Sequence, residues 1–207
     1  MRARVFLVCR ASVALLLYLA CSFAAASTIL QVDIDYLLEN AELVFQGEVV
    51  ASEAKEVAAS DAVHTSVFFR VDEVIAGSYA APTLVLEFAG GIAGGKGMRV
   101  AGLVQPQAGE RGIYFVESIA GGLANPLLGW SQGHFVLQRD SAGRERVMSN
   151  RLQPVLGLEA QPQARNRFAP FSEGVARGVQ TGRAGESANS AMSITGFKAA
   201  LREKLQK

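Results

Sequence analysis

Alternation of apolar and polar side chains is the clearest pattern in this chain. Within residues 43–51 and 65–71, Phe45 and Phe69 belong to apolar faces, while Arg70 belongs to a polar one. Successive side chains of a β-strand point to opposite faces of its sheet, so a period of two indicates half-buried strands. The two stretches therefore predict a pair of long strands joined by a polar connection.

Shorter stretches with the same character follow, separated by turns that are rich in glycine or contain proline. They are residues 83–88, 97–100, 112–116, 128–137 and 144–148. Short strands at regular spacing, without alternating helices, favour an all-β domain. We therefore expect a mainly β fold for residues 27–152, in the form of a small closed or partly open β-barrel of the OB type.

A short helix is expected to precede this domain, over residues 33–40. Ile34, Leu37 and Leu38 have the spacing of one helical stripe. Asp33 stands where a helix cap is expected, because its carboxylate can accept hydrogen bonds from the first turn. The stripe predicts that this helix packs on the sheet.

The end of the chain predicts an amphipathic helix over residues 193–207, with Ser193 as its cap. Its apolar stripe consists of Ile194, Phe197, Leu201 and Leu205. The preceding residues 153–192 are dominated by Gly, Ala, Gln, Arg and Ser, with few large apolar side chains. That composition is typical of a flexible, poorly ordered linker.

Residues 1–26 have the three parts of a secretory signal peptide. Arg2, Arg4 and Arg10 form a basic segment, an apolar run follows, and small residues end it at Ala26. The apolar run is shorter than the roughly 20 residues that a membrane-spanning helix needs. We therefore expect cleavage after Ala26 and export to the periplasm or the medium.

Both cysteines of the chain, Cys9 and Cys21, lie in this signal region, so the exported chain is expected to have neither thiols nor disulfides. Lipidation of Cys21 is an alternative, because a short apolar motif precedes that residue. The whole chain has 20 basic and 19 acidic residues, and removing a segment with three arginines and no carboxylate leaves it slightly acidic. This balance argues against nucleic acid or an anionic membrane as the partner.

The densest glycine cluster, residues 90–97, predicts an exposed loop with positive φ angles. A phosphate-binding loop needs a Gly-Lys-Ser/Thr ending and a following helix, and neither accompanies this cluster. We therefore interpret the loop as a surface for a protein partner, together with the stripe of the C-terminal helix. The candidate partner-binding residues are Gly90, Gly91, Gly94, Gly95, Lys96, Ile194, Phe197, Leu201 and Leu205.

Candidate catalytic or metal-binding residues are few. His64 and His134 lack the spacing of zinc ligands and are interpreted as strand-surface residues. Residues 129–133, Gly-Trp-Ser-Gln-Gly, match the Gly-x-Ser-x-Gly pattern of serine hydrolases, but they precede a predicted strand, whereas the elbow of such enzymes leads into a helix. We therefore expect no catalytic residue, metal or cofactor, and keep a serine hydrolase that uses Ser131 as the alternative.

The landmarks of the chain resemble those of a family of exported bacterial β-domain proteins. Residues 41–50, Ala-Glu-Leu-Val-Phe-Gln-Gly-Glu-Val-Val, are similar to the opening A-D-x-V-x-x-G-x-V of that family, and residues 71–77 resemble its V-x-E-V-L-K-G segment. The resemblance covers residues 41–148 and the last helix. It implies an exported accessory domain of the kind that accompanies secreted metalloproteases.

Residues 41–77 also resemble the netrin-like, OB-type domain of the tissue inhibitors of metalloproteinases. Those inhibitors bind the protease zinc through an amino-terminal cysteine, which the expected exported chain lacks. The resemblance therefore implies the fold and a protease partner without that inhibitory chemistry. We expect an exported, non-enzymatic binding or accessory domain that acts on a protein partner, such as a secreted metalloprotease.

Overall fold

The computed structural model describes residues 29–58, 60, 62–159 and 174–206. The predicted signal peptide, with Cys9 and Cys21, and residues 160–173 of the predicted linker lie outside these ranges. In chain order, the helices and strands are α1 (Ile34–Asn40), β1 (Leu43–Glu56), β2 (Val63–Gly77), β3 (Thr83–Ala89), β4 (Gly91–Ala93), β5 (Lys96–Met98), β6 (Arg111–Val116), β7 (His134–Arg139), β8 (Glu145–Ser149), β9 (Val155–Leu158), β10 (Val179–Thr181) and α2 (Ile194–Leu205).

Six strands form one antiparallel sheet in the order β3-β2-β1-β6-β7-β8. The long strands β1 and β2 pair with each other in the interior of this sheet. They are the two joined strands that the alternation in residues 43–51 and 65–71 predicts. Three register shifts interrupt this pair, and such irregularities bend and twist a sheet locally. The mainly β fold is confirmed, but the described strands do not close on themselves, so a barrel is not confirmed.

One face of the sheet is covered by both helices. This first hydrophobic cluster joins Val44, Ile113, Phe115 and Phe135 of the sheet with Ile34 and Leu37 of α1 and Phe197 and Leu201 of α2. Both predicted helices are therefore confirmed, and so are their caps. The Asp33 carboxylate accepts a hydrogen bond from the Tyr36 amide, and the Ser193 hydroxyl accepts one from the Gly196 amide.

The opposite face of the sheet carries a second hydrophobic cluster that is rich in aromatic side chains. The rings of Phe45, Phe69 and Tyr114 lie with their centroids 4.8 to 5.5 Å apart. Leu43, Val49 and Val67 belong to the same cluster, which confirms the shared apolar faces that the alternation predicts.

The interpretation of residues 153–192 as a poorly ordered linker is wrong for the parts that the structure describes. Strands β9 and β10 pair with each other, and Val155, Ala176 and Ala191 are buried. The composition of the segment does not indicate this order, because its strands are very short and two of its buried side chains are alanines. Small side chains reach the core here since the chain itself lies close against the first hydrophobic cluster.

The described residues contain no helix that is long and apolar enough to span a membrane.

Candidate functional site

The glycine-rich residues 90–97 form a hairpin of β4 and β5 rather than a loop. Its turn, Gly94–Gly95, has φ angles of 54° and 78°. Positive φ at both central residues is the type I′ geometry of tight hairpins, and glycine adopts it without steric cost. The predicted positive φ angles are therefore confirmed, and their role is to close a hairpin.

The five predicted partner-binding residues of this segment have different environments. Gly90 is buried, and a Cβ atom there would lie 2.9 Å from the Met98 carbonyl oxygen of β5. A Cβ atom on Gly91 would lie 2.4 Å from the Thr65 hydroxyl, so Gly91 allows close packing against β2. Gly94, Gly95 and Lys96 are exposed at the tip, where the Lys96 ammonium lies 3.7 Å from the Glu56 carboxylate. Three of the five are therefore accessible to a partner.

Ile92 is the residue of this hairpin that the sequence interpretation missed. Its side chain is 80% exposed, more than any other large apolar residue that the structure describes. A single large apolar side chain among glycines is the signal that could have identified it. An exposed isoleucine on a hairpin fixed by a tight turn is suited to contact with another protein.

An open cleft of about 700 Å³ lies between the hairpin and the segment that follows it. Its lining includes Ile92, Met98, Arg99, Val104 and Gln105. The Gln105 side-chain amide donates to the carbonyl oxygens of Ala89 and Gly90, each at 3.2 Å, and so anchors the cleft to the end of β3. The cleft combines apolar walls with one arginine and amide groups, a mixture typical of a protein-contact surface.

The stripe of the C-terminal helix is not a continuous partner-facing surface. Phe197 and Leu201 are fully buried in the first hydrophobic cluster, so the prediction that these two residues face a partner is wrong in this structure. Ile194 packs against the same cluster, and only Leu205, which is 43% exposed, remains largely in solvent. The helix belongs to the core because an exposed apolar stripe of this size is unfavourable in water.

The Gly129–Gly133 segment is a 3-10 turn that leads into strand β7, and not a strand-turn-helix elbow. Gln132 and Gly133 are buried, and the Gln132 side chain accepts from the Val32 amide at 2.9 Å and donates to the Leu30 carbonyl at 2.8 Å. The turn therefore fastens the start of the described chain to the sheet. The neighbouring His134 is not positioned as a base for Ser131, because its ring nitrogens contact Glu110 and Asn150.

His134 is buried, so its interpretation as a strand-surface residue is wrong. The Asn150 side-chain amide lies 2.7 Å from Nδ1 of its ring, and Nε2 lies 2.7 Å from the Glu110 carboxylate. The Tyr114 hydroxyl donates to the same carboxylate, and burial raises the pKa of Tyr114 above its usual value. This chain of hydrogen bonds joins β6 and β7 with the turn before β6 and the turn after β8, and its geometry is that of a structural network.

Charged side chains on the sheet are largely paired with one another. Arg111 contacts Glu48, Asp72 and Glu145, and Arg70 contacts Glu48 and Asp72. Hydrogen bonding to Asp72 is the main reason that the pKa of Arg70 is raised. Three carboxylates thus contact two guanidinium groups, so the charges of this cluster largely offset one another.

In the described ranges, no three His, Cys, Asp or Glu side chains come together in a way that could hold a metal ion. Comparison with family models, curated proteins and solved structures gave no match for this chain. The surface of the β4–β5 hairpin and its cleft is therefore the feature on which a functional interpretation rests.

Proposed function

We propose that this chain is an exported, non-enzymatic domain that binds a protein partner through the β4–β5 hairpin. The observation that carries the proposal is the 80% exposure of Ile92 on a hairpin with a tight turn. Export is supported by the signal-peptide pattern of residues 1–26. The partner class suggested by the sequence resemblance is a secreted metalloprotease.

Two features make the hairpin suitable as an anchor for a partner. The turn and the close packing of Gly91 on Thr65 hold Ile92 in place, so little conformational entropy would be lost on binding. The adjoining cleft offers apolar wall atoms from Met98 and Val104 beside Ile92. An exposed anchor next to a groove is the arrangement in which a few residues supply most of the binding energy.

The test is cross-linking of the exported protein in the secreted fraction of its source, with a photoreactive amino acid in place of Lys96, an exposed hairpin residue outside the glycine turn. We expect one discrete protein to be cross-linked by the otherwise unchanged chain. The same cross-link should be lost when Ile92→Asp is added. It should persist with Leu205→Asp, a matched change at an exposed apolar residue of α2.

Loss of the cross-link with Leu205→Asp and its retention with Ile92→Asp would move the partner surface to the helix. A protease partner is then tested directly, by titrating the cross-linked protein with the purified domain and following cleavage of a peptide substrate. A change in its rate that Ile92→Asp abolishes supports the protease assignment. An unchanged rate contradicts that part of the proposal.

The non-enzymatic part has a separate test at Ser131. We expect a fluorophosphonate probe, which labels activated serines, to leave the purified protein unlabelled. Labelling that disappears in Ser131→Ala would contradict the proposal and favour the serine hydrolase alternative.

A further inference from the structure

We propose that the outer edge of strand β3 accepts an extended segment of a partner protein as an added antiparallel strand, with a basic residue of that segment opposite Glu87. The proposal rests on the proposed function in one respect, namely that the occupant is a polypeptide. Its surface is distinct from Ile92, since it consists of backbone groups of β3. Strand addition of this kind obtains affinity from main-chain hydrogen bonds and specificity from alternate side chains.

The direction of the β3 backbone groups follows from its register with β2. The Gly90 amide donates to the Val63 carbonyl, the Val71 amide donates to the Pro82 carbonyl, and no register shift intervenes. Hydrogen-bonded pairs in antiparallel strands recur at every second residue. The backbone groups that bond to β2 are therefore those of Leu84, Leu86 and Phe88. The odd-numbered residues of β3 direct their N–H and C=O groups outward.

The two ends of this outer edge are already occupied. The Tyr79 hydroxyl donates to the Thr83 carbonyl at 2.7 Å. At the other end, the Ala89 amide donates to the Ala124 carbonyl at 2.8 Å. Between them, nothing in the described part of the chain pairs with the outward N–H and C=O groups of Val85 and Glu87. The open window thus presents two donors and two acceptors at the spacing of one added strand.

The side chains beside this window define the chemistry of the occupant. Across the sheet, Ala51, Phe68 and Val85 form one row, and Glu53, Ser66 and Glu87 form the next. Val85 is 42% exposed, and Phe68 is half-buried beside it. An added strand would extend both rows. It would place an apolar residue opposite Val85 and a basic residue opposite Glu87, with one residue between the two.

A second copy of this chain fits the window less well than such a segment. Two-fold pairing of β3 with itself would set Glu87 opposite Thr83, Val85 or the other Glu87, depending on the register. None of these pairings gives the carboxylate a cation, and like charges directly opposite each other are unfavourable. The acidic row therefore selects a basic partner segment over self-association.

The experiment uses the purified exported domain, labelled with nitrogen-15, and two capped nine-residue threonine-rich peptides. One probe contains a valine and a lysine separated by one threonine, and the other has glutamate in place of that lysine. Amide shifts and hydrogen exchange are followed during titration. We expect the lysine probe to shift and protect the amides of Val85 and Glu87, with about fivefold weaker binding of the glutamate probe.

Two variants make the result specific. Glu87→Lys should reverse the preference, so that the glutamate probe binds more tightly than the lysine probe. Val85→Pro should abolish binding, because it removes an outward donor without removing a hydrogen bond to β2. If Val85→Pro fails to fold, the charge reversal at Glu87 still decides the question.

Any of three positive observations would overturn the proposal. They are saturable shifts that avoid β3, a preference that Glu87→Lys does not reverse, and dimer formation through β3 in the absence of probe. Ile92→Asp should leave probe binding unchanged, so the failure of this proposal and that of the hairpin surface are distinguishable. Absence of any saturable shift with either probe also contradicts strand addition.

Discussion

The two edges of the main sheet differ in what covers them. On β8, the Val147 amide donates to the Met192 carbonyl, and the Ser149 amide donates to the Gln153 carbonyl. On β3, the described part of the chain pairs with the two ends of the outer edge and leaves its middle open. Unpaired strand edges readily pair with other chains, so proteins usually cover or charge them. The residues that follow β8 therefore cover the β8 edge of the sheet. In the described part of the chain, the middle of the β3 edge stays available to a partner.

The covered side is also held by polar contacts from buried groups. The Asp140 carboxylate accepts hydrogen bonds from backbone and side-chain donors of the β7–β8 turn. The hydrogen bond from the Arg144 amide is the main reason that the pKa of Asp140 is lowered. Arg146 also donates to the Ala191 carbonyl and thereby ties the turn to the segment that precedes α2.

The largest loss in the free energy of unfolding is expected for Phe197→Ala, on the covered side of the sheet. Phe197 of α2 is fully buried against the sheet, and truncation of a core phenylalanine typically costs about 3–5 kcal/mol in the free energy of unfolding. Urea denaturation followed by circular dichroism measures the loss. Ile92→Ala serves as the exposed control and should change the free energy by less than about 0.5 kcal/mol. A small loss at Phe197 would mean that α2 does not belong to the core.

A smaller loss is expected for Arg146→Met, which breaks the link between the β7–β8 turn and Ala191. Arg146 is mostly buried, and losing its hydrogen bonds should cost about 1–2 kcal/mol. Arg144→Met is a matched control, because Arg144 contacts the same Asp140 oxygen at the same 2.9 Å but is 68% exposed. Thermal unfolding of both variants should rank Arg146 above Arg144. The reverse ranking would contradict the role assigned to this covered edge.

Glu73→Gln probes the charged contacts that hold α2 against the sheet. Lys198 and Arg202 both donate to the Glu73 carboxylate, and the hydrogen bond from Lys198 is the main cause that lowers its pKa from the ordinary 4.5. A lowered pKa means that the carboxylate stabilises the fold above that value and loses this contribution as the pH falls through its folded pKa.

The wild type should therefore be more stable than Glu73→Gln by about 0.5 kcal/mol at neutral pH, because the ion pair is partly exposed. The difference in thermal midpoint between the two proteins should shrink as the pH is lowered below 4.5. Concentrated salt at neutral pH should reduce it as well. A difference that is independent of pH would show that the charge of Glu73 is not responsible.

The smallest effect is expected for Val85→Thr on the open edge. Val85 is 42% exposed on an outer strand, so this change should alter the free energy of unfolding by less than about 0.5 kcal/mol. Chemical denaturation of the isolated domain measures it. A loss above about 1 kcal/mol would indicate that another part of the chain covers β3, and would remove the contrast between the edges.

The sequence by itself determined the elements whose signals are local. Alternation identified β1 and β2 and the apolar face of Phe45 and Phe69, because the two-residue period of a strand is visible in consecutive residues. The caps Asp33 and Ser193 were identified for the same reason, since a cap bonds to residues three positions along the chain.

The tertiary structure decided the order of the strands, the covering of β8 and the burial of Phe197 and His134. These features depend on contacts between residues far apart in the chain, for which one sequence carries no local periodicity. An amphipathic stripe shows that a helix must be covered but does not show by what. For the same reason, the sequence indicates only that Val85 and Glu87 belong to a strand. The pairing of their neighbours with β2 is what places their backbone groups at an open edge.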